Sequence, residues 1–391
     1  MRISALSSKL IMCLLCLTLL PIAAQANSVT VGCPGGTPGM FTTITAALAS
    51  LPSAGPNQIS VSGVCSENVV FFGRTDLSII GNPTATVQPG NANGHILAIS
   101  NSQRVGIQNI TFTGARGIIV NNSSEVDIDG VTVQNSAGIG FTSIDSLVHL
   151  SNSTVQGSTR SGIVVGGGTF YVDGGVTSTN NGRIGIAILT GHLVLNGGDG
   201  VTPGTENVIS SNGTAGVEVA SSAEADISAD NRIINNGGKW ALLVLNGSSI
   251  AMSDGTINNN VGLGVHCGGT SHCEFGGNTK IDSNGAGGIE IVEHSDASFD
   301  GGLDISNNTG NGVLVDQSSS LTSLGGNTIN GNKDDGILLN NLSVLKFVAI
   351  DTITGNTNDS LECANGSLVI GNISTLKKTT CGLAHQSKPV N

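Results

Sequence analysis

The stretch NGAGGIEI at residues 284–291 returns as NTGNGVLV at residues 308–315 and as NKDDGILL at residues 332–339. Its first residue belongs to a series of asparagines that recurs with a period of 24, namely Asn212, Asn236, Asn260, Asn284, Asn308, Asn332 and Asn356. Four residues after most of them, a glycine opens an alternating apolar run. A fixed period of this length indicates a repeat architecture, in which each unit stacks on its neighbours.

Each unit contains three short segments in which apolar and polar residues alternate, separated by turn residues. This period of two is typical of strands and differs from the 3.6-residue period of helices. We therefore predict an all-β solenoid with about 24 residues and three strands per coil. Roughly fourteen coils, about 4.8 Å apart, would form a rod about 65 Å long. The asparagines tolerate left-handed turns and can bond between coils, so we interpret their ladder as structural.

Upstream the repeat is less regular, and its anchor positions are Ile96, Gly117, Gly138, Gly162 and Gly185. The longer step from Gly185 to Gly216 indicates an inserted loop near residues 199–206. Trp240 and Ser360 take the place of the anchor glycine in two later coils. The phase after Gly216 is otherwise kept, which predicts one continuous domain.

Residues 1–26 have the pattern of a secretory signal peptide. Arg2 and Lys9 supply positive charge, residues 11–20 are apolar, and residues 24–26 read Ala-Gln-Ala. We therefore expect a secreted protein, extracellular or periplasmic. No later stretch is apolar enough to span a bilayer.

Both ends of a solenoid expose strand edges and need covers. We predict an N-terminal cap at residues 27–58, the β-solenoid at residues 59–372 and a C-terminal cap or tail at residues 373–391. The N-terminal cap would contain a short helix whose apolar face carries Phe41, Ile44, Leu48 and Leu51, and Pro52 would end it.

Composition excludes several classes of function. Of 391 residues 57 are glycine, 38% are hydrophobic and only 11% are charged, which favours a packed core with many turns over disorder. The formal net charge of -12 argues against nucleic acid and anionic membranes as partners. One Trp and one Tyr leave few stacking platforms for sugars.

Six cysteines follow the predicted leader, and export makes them candidates for disulfides. Their spacing favours three local pairs, Cys33 with Cys65, Cys267 with Cys273, and Cys363 with Cys381. Six cysteines allow about 15 connectivities, so this pairing is a preference.

The coils, the opening FTTITAAL at residues 41–48 and the segments ISV at 59–61 and ENVV at 67–70 resemble the right-handed parallel β-helix, or pectin lyase-like, proteins. These include pectate lyases, pectin methylesterases and polygalacturonases, and the opening is similar to that of the methylesterases. The resemblance covers residues from about 30 to 370. It implies a secreted protein of a class that often handles acidic polysaccharides.

The active-site motifs of those enzymes do not carry over. The methylesterase motifs Gln-Asp, Asp-Phe-Ile-Phe-Gly and Leu-Gly-Arg-Pro-Trp are absent. The sequence contains only fragments of the polygalacturonase pattern, and they occur in the wrong order, namely Asp334-Asp335-Gly336 and Gly182-Arg183-Ile184. A pectate lyase would need clustered calcium carboxylates beside Arg or Lys bases, and the basic residues after the predicted leader are few and scattered.

The phase of the repeat places chemistry-bearing side chains outside the core. Counted from the anchor glycine, positions 1 and 3 point inward and position 2 points outward, which sets His266 and Glu290 on neighbouring coils. Position 8 sets His272 beside Asp296, with His294 in the turn between. We take His266, Glu290, His272 and Asp296 as candidate catalytic residues, and His266, His272, Glu290 and His294 as candidate ligands of a divalent metal. The alternative is a solvated surface with cross-strand charge pairs.

The doublets His266-Cys267 and His272-Cys273 do not form one zinc site, because alternation turns the sulfurs inward and the imidazoles outward. No cofactor is predicted. The function favoured by the sequence is a monomeric, non-catalytic β-helix that binds an extracellular polysaccharide or a surface partner. The alternative is a polysaccharide-active lyase, hydrolase or esterase with a divergent site.

Overall fold

The computed structural model describes residues 26–198, 202, 204–374 and 376–381. The predicted signal peptide therefore lies outside the described residues except for Ala26, and so do parts of the inserted loop and residues 382–391. No helix in the described part of the chain is long and apolar enough to cross a membrane.

Up to residue 196 the strands are long and several bend from one face of the molecule to the next. The elements of this part are β1 (Asn27–Gly32), α1 (Ile44–Ser50), β2 (Ala54–Ser66), β3 (Val69–Phe72), β4 (Thr75–Gln88), β5 (His95–Ser100), β6 (Gln103–Thr113), β7 (Arg116–Asn121), β8 (Ser124–Asp129), β9 (Thr132–Gln134), β10 (Phe141–Ser151), β11 (Thr154–Gln156), β12 (Ile163–Asp173), β13 (Thr177–Thr179) and β14 (Ile184–Asn196).

After the inserted loop the strands are short and come three to a coil. They are β15 (Asn207–Ser210), β16 (Ala215–Val219), β17 (Glu224–Ser228), β18 (Asn231–Ile234), β19 (Trp240–Val244), β20 (Ser249–Ser253), β21 (Thr256–Asn258), β22 (Leu263–Cys267), β23 (His272–Gly276), β24 (Lys280–Asp282), β25 (Ile289–Ile291), β26 (Asp296–Phe299), β27 (Asp304–Ser306), β28 (Val313–Val315), β29 (Ser320–Ser323), β30 (Thr328–Asn330), β31 (Ile337–Leu339), β32 (Val344–Phe347), β33 (Thr352–Thr354), β34 (Leu361–Cys363) and β35 (Leu368–Ile370).

The strands form three parallel sheets that run along the solenoid. From β15 to β32 each strand pairs in parallel with the strand three places later, so every coil adds one strand to each sheet. We call the sheet of β16 and β22 sheet 1, that of β17 and β23 sheet 2, and that of β18 and β24 sheet 3. About 13 coils result, against the fourteen expected. The all-β solenoid predicted from the repeat is confirmed.

The core is built from the inward residues of the three sheets. In sheet 1 the inward stack runs through Val217, Leu242, Val265, Ile289 and Val313, each at most 1% exposed. Burial of each such side chain contributes roughly 1.5–3 kcal/mol to the free energy of folding. The inward phase read from the anchor glycine is therefore correct for these coils. The predicted anchor Gly138 was wrong by two residues, since Phe141 aligns with Ile118 and Ile163 and so makes Gly140 the anchor of its coil.

The asparagine ladder lies at the corner between sheets 3 and 1. Asn260 Oδ1 accepts bonds from the backbone N and Nδ2 of Asn236, at 2.9 and 3.1 Å. Its own Nδ2 donates to Asn284 Oδ1 at 2.9 Å and to the Ile233 carbonyl at 3.0 Å. The ladder thus joins successive coils, as expected. The left-handed conformation belongs instead to the residue before the ladder position, with φ 54° at Asn259.

The repeat slips by one residue around Trp240. Trp240 lies opposite Ala215 and Leu263, so the position of Gly216 is taken by Ala241. The prediction that Trp240 replaces the anchor glycine was wrong by one residue, because the extra residue is absorbed in the turn before β19. Leu243, rather than Leu242, therefore occupies the outward column.

Three disulfides join the pairs that spacing favours. Cys33 is bonded to Cys65, Cys267 to Cys273, and Cys363 to Cys381. The Cys267–Cys273 bond lies at the inward side of the corner between β22 and β23.

Helix α1 and strand β1 both lie in the stretch predicted as the N-terminal cap. Thr43 caps the helix, since its hydroxyl accepts a bond from the Ala46 backbone N, and Ile44, Ala47 and Leu48 are buried in the common core. Strand β1 pairs with β2, so the parallel ladder begins within this stretch. The capping role of α1 and the domain boundaries stay predictions.

Candidate functional site

The histidines and carboxylates predicted to be neighbours form two pairs on two different sheets. On sheet 1, His266 Nδ1 lies 2.6 Å from Glu290 Oε2, with side chains 13% and 23% exposed. On sheet 2, His272 Nδ1 lies 2.5 Å from Asp296 Oδ2, and these side chains are 45% and 57% exposed. The corner that separates the pairs keeps them from forming one cluster.

The first pair lies beside the only tryptophan of the chain. The His266 ring is 5.7 Å from the ring of Trp240, and Lys239 Nζ lies 4.7 Å from the Trp240 ring centroid. His294, predicted as a metal ligand, is exposed in the left-handed turn before β26. The catalytic and metal roles of these residues stay predictions.

Among the described residues, three groups place three candidate ligand atoms within 4.8 Å of one another, and none includes His266, His272, Glu290 or His294. One group contains Cys33 and Cys65, whose sulfurs are used in a disulfide. Another is Asp335, Asp359 and Glu362 near the C-terminal end. The third is His192, Glu224 and Asp226 on sheet 2.

Sequence reasoning missed two further histidine–carboxylate pairs, both on sheet 2. His149 Nδ1 lies 2.8 Å from Asp173 Oδ2, and His192 Nε2 lies 3.0 Å from Asp226 Oδ2. His192 and Asp226 are 34 residues apart across the inserted loop, so counting by the 24-residue period does not identify them, whereas His149 and Asp173 are 24 residues apart and that count would have identified them. His149 lies between two apolar residues, and His192 is followed by one. This alternation is the signal that would have identified both histidines as outward strand positions.

Tyr171 lies directly beside His149 in the strand register. The two rings are stacked, with centroids 4.4 Å apart and planes within 2°. The stack covers one face of the Tyr171 ring, so that face is not free for a sugar to stack on.

We call the outward side of sheet 2 from β8 to β26 the acidic face. None of its strands contains Lys or Arg; these strands are β8, β10, β12, β14, β17, β20, β23 and β26. Its acidic side chains are Glu125, Asp127, Asp129, Asp173, Glu224, Asp226, Glu274 and Asp296. A surface of this charge attracts cations and hydroxyl donors and repels polyanions.

The acidic face contains a concave site, which we call the acidic cleft. It has a volume of about 370 Å³ and is lined by Asp226, Glu274 and Asp300. Its other lining residues are mostly small, among them Ala251 and Ser253. Small side chains on β20, between the longer ones of β17 and β23, create the depression.

The carboxylates of the acidic cleft differ in their surroundings. A hydrogen bond with the Asp300 side chain, burial and the charge of Asp300 raise the pKa of Glu274. Asp226 instead shares a hydrogen bond with His192 and lies beside Glu224. Asp226 and Glu274 both align with Ala251, one strand away on each side, so their Cα atoms are about 9–10 Å apart. Glu274, whose carboxyl keeps its proton to a higher pH, thus lines the same cleft as Asp226, whose carboxyl is hydrogen-bonded to His192.

A family model described as "Right handed beta helix region" matches residues 137–304 and 191–349, which together cover more than half of the chain. The chain belongs to this right-handed β-helix family. The architecture of three parallel sheets agrees with the match, and the recognition of the superfamily from the sequence is confirmed.

Solved structures share the fold at low sequence identity. Tailspike protein 3 of bacteriophage CBA120 is 12% identical with a TM-score of 0.50, over 86% of this chain and 60% of the tailspike chain. The A-module of the mannuronan C-5 epimerase AlgE6 of Azotobacter vinelandii is 15% identical with a TM-score of 0.47, over 84% and 93% of the two chains. A comparison with curated protein sequences finds no match.

Proposed function

We propose that the protein is a secreted, monomeric β-helix that binds an extracellular polysaccharide in the acidic cleft. The observation that carries this proposal is the cleft itself, in which Asp226, Glu274 and Asp300 surround a floor of small residues. Carboxylates accept short, strong bonds from hydroxyl groups, so a chain of sugars offers them many donors. Three disulfides support secretion, because such bonds persist outside the reducing cytosol.

The charge of the acidic face favours a neutral glycan. Polyuronates would bring further carboxylates onto a face that already carries many and has no Lys or Arg on its strands. Coils about 4.8 Å apart also repeat at a distance close to the length of one pyranose unit, so a chain laid along the rod meets one strand per sugar.

The test is binding of purified protein to a panel of insoluble neutral and uronate polysaccharides. Asp226→Asn and Glu274→Gln should each weaken binding of the neutral glycan about tenfold or more, as expected for the loss of a charged hydrogen-bond partner. Asp282→Asn is the matched control, since it removes the same charge from the outward side of sheet 3. Equal binding by all variants would contradict the proposal.

One observation favours hydrolysis as a second function. An inverting glycosidase needs one protonated and one ionised carboxyl on opposite sides of the scissile bond, and Glu274, whose pKa is raised, lines the same cleft as Asp226. Measurement of reducing ends in the same panel distinguishes the functions. Release that disappears in Glu274→Gln would support hydrolysis, and binding without release would support the non-catalytic role.

We also propose His266, His272, Glu290 and His294 as secondary candidate ligands of a divalent metal. Titration with Zn²⁺ tests this: stoichiometric uptake that a double His266→Ala, His272→Ala variant loses supports the assignment. Uptake retained in that variant but lost in His192→Ala would place the metal beside Glu224 and Asp226 instead.

A further inference from the structure

A second cleft lies away from the acidic face, beside sheet 1, and we call it the basic cleft. It has a volume of about 280 Å³ and is lined by His95, Arg116, Gly138, Thr142 and Arg160, together with Ala137 and Ile139. None of the described residues that line it is acidic. In a chain with 27 acidic and 15 basic residues, such a site needs an explanation.

The charges in this part of the chain are sorted between faces. Between residues 91 and 198 the acidic residues are Glu125, Asp127, Asp129, Asp145 and Asp173, and all lie on β8, β10 and β12. Three of the four arginines in the same span, Arg116, Arg160 and Arg183, lie instead at the edge where sheet 1 begins. Among the described residues, no carboxylate lines the cleft with Arg116 and Arg160, whereas Arg183, outside the cleft, lies close enough to Glu218 for its charge to oppose the rise in the pKa of that carboxyl.

The two guanidinium groups of the basic cleft are unpaired. Among the described residues, neither Arg116 nor Arg160 has a side-chain hydrogen bond or ion pair, whereas Arg104 on sheet 2 is paired with Asp76. Arginines left free and directed to one cleft can give bidentate bonds to an oxyanion.

Gly138 explains why the cleft is open. It lies in the coil between those of Arg116 and Arg160, and the Arg160 backbone N donates to the Gly138 carbonyl at 3.0 Å. A Cβ placed on Gly138 would have no atom within 4 Å, and its φ is not in the left-handed region. The missing side chain therefore leaves room between two cations.

The row of cations continues along the rod. The Arg183 backbone N donates to the Arg160 carbonyl at 3.2 Å, which places Arg183 in the next coil. From Arg116 to Arg183 there are three coil steps, or about 14 Å at about 4.8 Å each. An isolated sulfate or phosphate ion cannot bridge this distance, but an extended polymer with repeated negative charges can.

We propose that the basic cleft and Arg183 bind an anionic glycan, through the sulfate or carboxylate groups along its chain. A glycan is favoured over single-stranded nucleic acid because, in the part of the chain that the structure describes, no Phe, Tyr or Trp on which bases would stack lines the cleft. His95 adds a hydrogen-bonding group rather than a charge, since burial and Arg116 lower its pKa. This site is separate from the acidic cleft and does not depend on the function proposed there.

The experiment measures binding of the full protein to heparin, polygalacturonate, neutral dextran and a single-stranded DNA oligonucleotide at low ionic strength. Heparin or polygalacturonate should bind with an affinity that falls as salt is added, and the one that binds identifies the anionic group. Dextran should not bind at this site. Absence of binding to both anionic glycans, or equally tight DNA binding through the same residues, would overturn the proposal.

Variants locate the site. Arg160→Gln should weaken binding about tenfold, as expected for loss of one charged hydrogen-bond partner. Gly138→Glu should abolish it while leaving both arginines in place, because its carboxylate enters the open space between them. Arg104→Gln is the control, an arginine of sheet 2 already paired with Asp76. Equal losses in Arg104→Gln and Arg160→Gln would contradict a specific site, and so would full binding by Gly138→Glu.

Discussion

Replacing Asn260 with alanine tests how much the asparagine ladder contributes to the stability of the fold. The substitution removes Asn260 Oδ1, which accepts the hydrogen bond of the Asn236 backbone N. Among the described residues, this buried N–H then has no acceptor. Asn236 Nδ2 loses one of two bonds and keeps the Ile209 carbonyl at 3.1 Å. At about 1–3 kcal/mol for an unsatisfied buried donor, plus about 1 kcal/mol for the second bond, we expect a loss of about 2–4 kcal/mol.

The matched control is Asn356→Ala at the C-terminal end of the ladder. Asn356 accepts the same two bonds from Asn332, each at 3.0 Å, but it is only partly buried. Water can therefore replace its carbonyl oxygen, and we expect a loss below about 1 kcal/mol. The two variants differ in access to water rather than in the bonds removed.

Urea unfolding with intact disulfides, monitored by circular dichroism, measures both variants. Because long solenoids need not unfold in one step, hydrogen exchange of peptides around Asn236 and Asn260 complements it. Faster exchange should be confined to the coils beside Asn260. Equal destabilisation by the two variants, or a loss below about 1 kcal/mol in Asn260→Ala, would refute the reasoning.

Three further predictions concern titration, packing and cross-linking. Burial raises the pKa of Asp335 from 3.8 to about 6, so the folded state holds this proton more tightly than the unfolded state. The free energy of unfolding should thus fall by at most about 3 kcal/mol as pH rises from about 4 to 6, and Asp335→Asn should remove that slope in urea titrations at several pH values; an unchanged slope contradicts it. Phe170→Ala should cost about 3–5 kcal/mol in the same assay, because the ring is fully buried and packs edge-on against Phe141 at 5.4 Å; a loss near zero would mean that the core refills. Replacing Cys267 and Cys273 by serine should cost about 2 kcal/mol, less than the about 4 kcal/mol for Cys33 and Cys65, because their loops span 6 and 32 residues; the reverse order would exclude loop entropy as the main effect.

The sequence predicts the fold well because the same physical constraint acts in every coil. Each ladder asparagine must bond to the asparagines of the coils above and below, and each inward aliphatic residue must pack on its equivalents there. The 24-residue period therefore recurs in many coils of the sequence. Even the cross-coil pairs His266–Glu290 and His272–Asp296 follow from that arithmetic.

The site was less predictable because it lies where the period is irregular. His192 and Asp226 are far apart along the chain, on either side of the inserted loop, yet they are adjacent in space. The one-residue slip at Trp240 has a similar cause, since a turn can absorb a residue that a buried strand cannot. The basic cleft depends on the open space above Gly138. The alternation of apolar and polar residues does not predict where such a space lies.

The unbroken period from Gly264 to Gly336 makes the coil a removable module. Excising residues 288–311 would bring Gly312 to the place of Gly288 and keep every inward, outward and corner position of the following coils in phase. The rod would shorten by about 4.8 Å while both terminal regions kept their native partners. In this half of the molecule, length is therefore set by copy number, and the spacing between surface features can change by whole coils without redesign of the core.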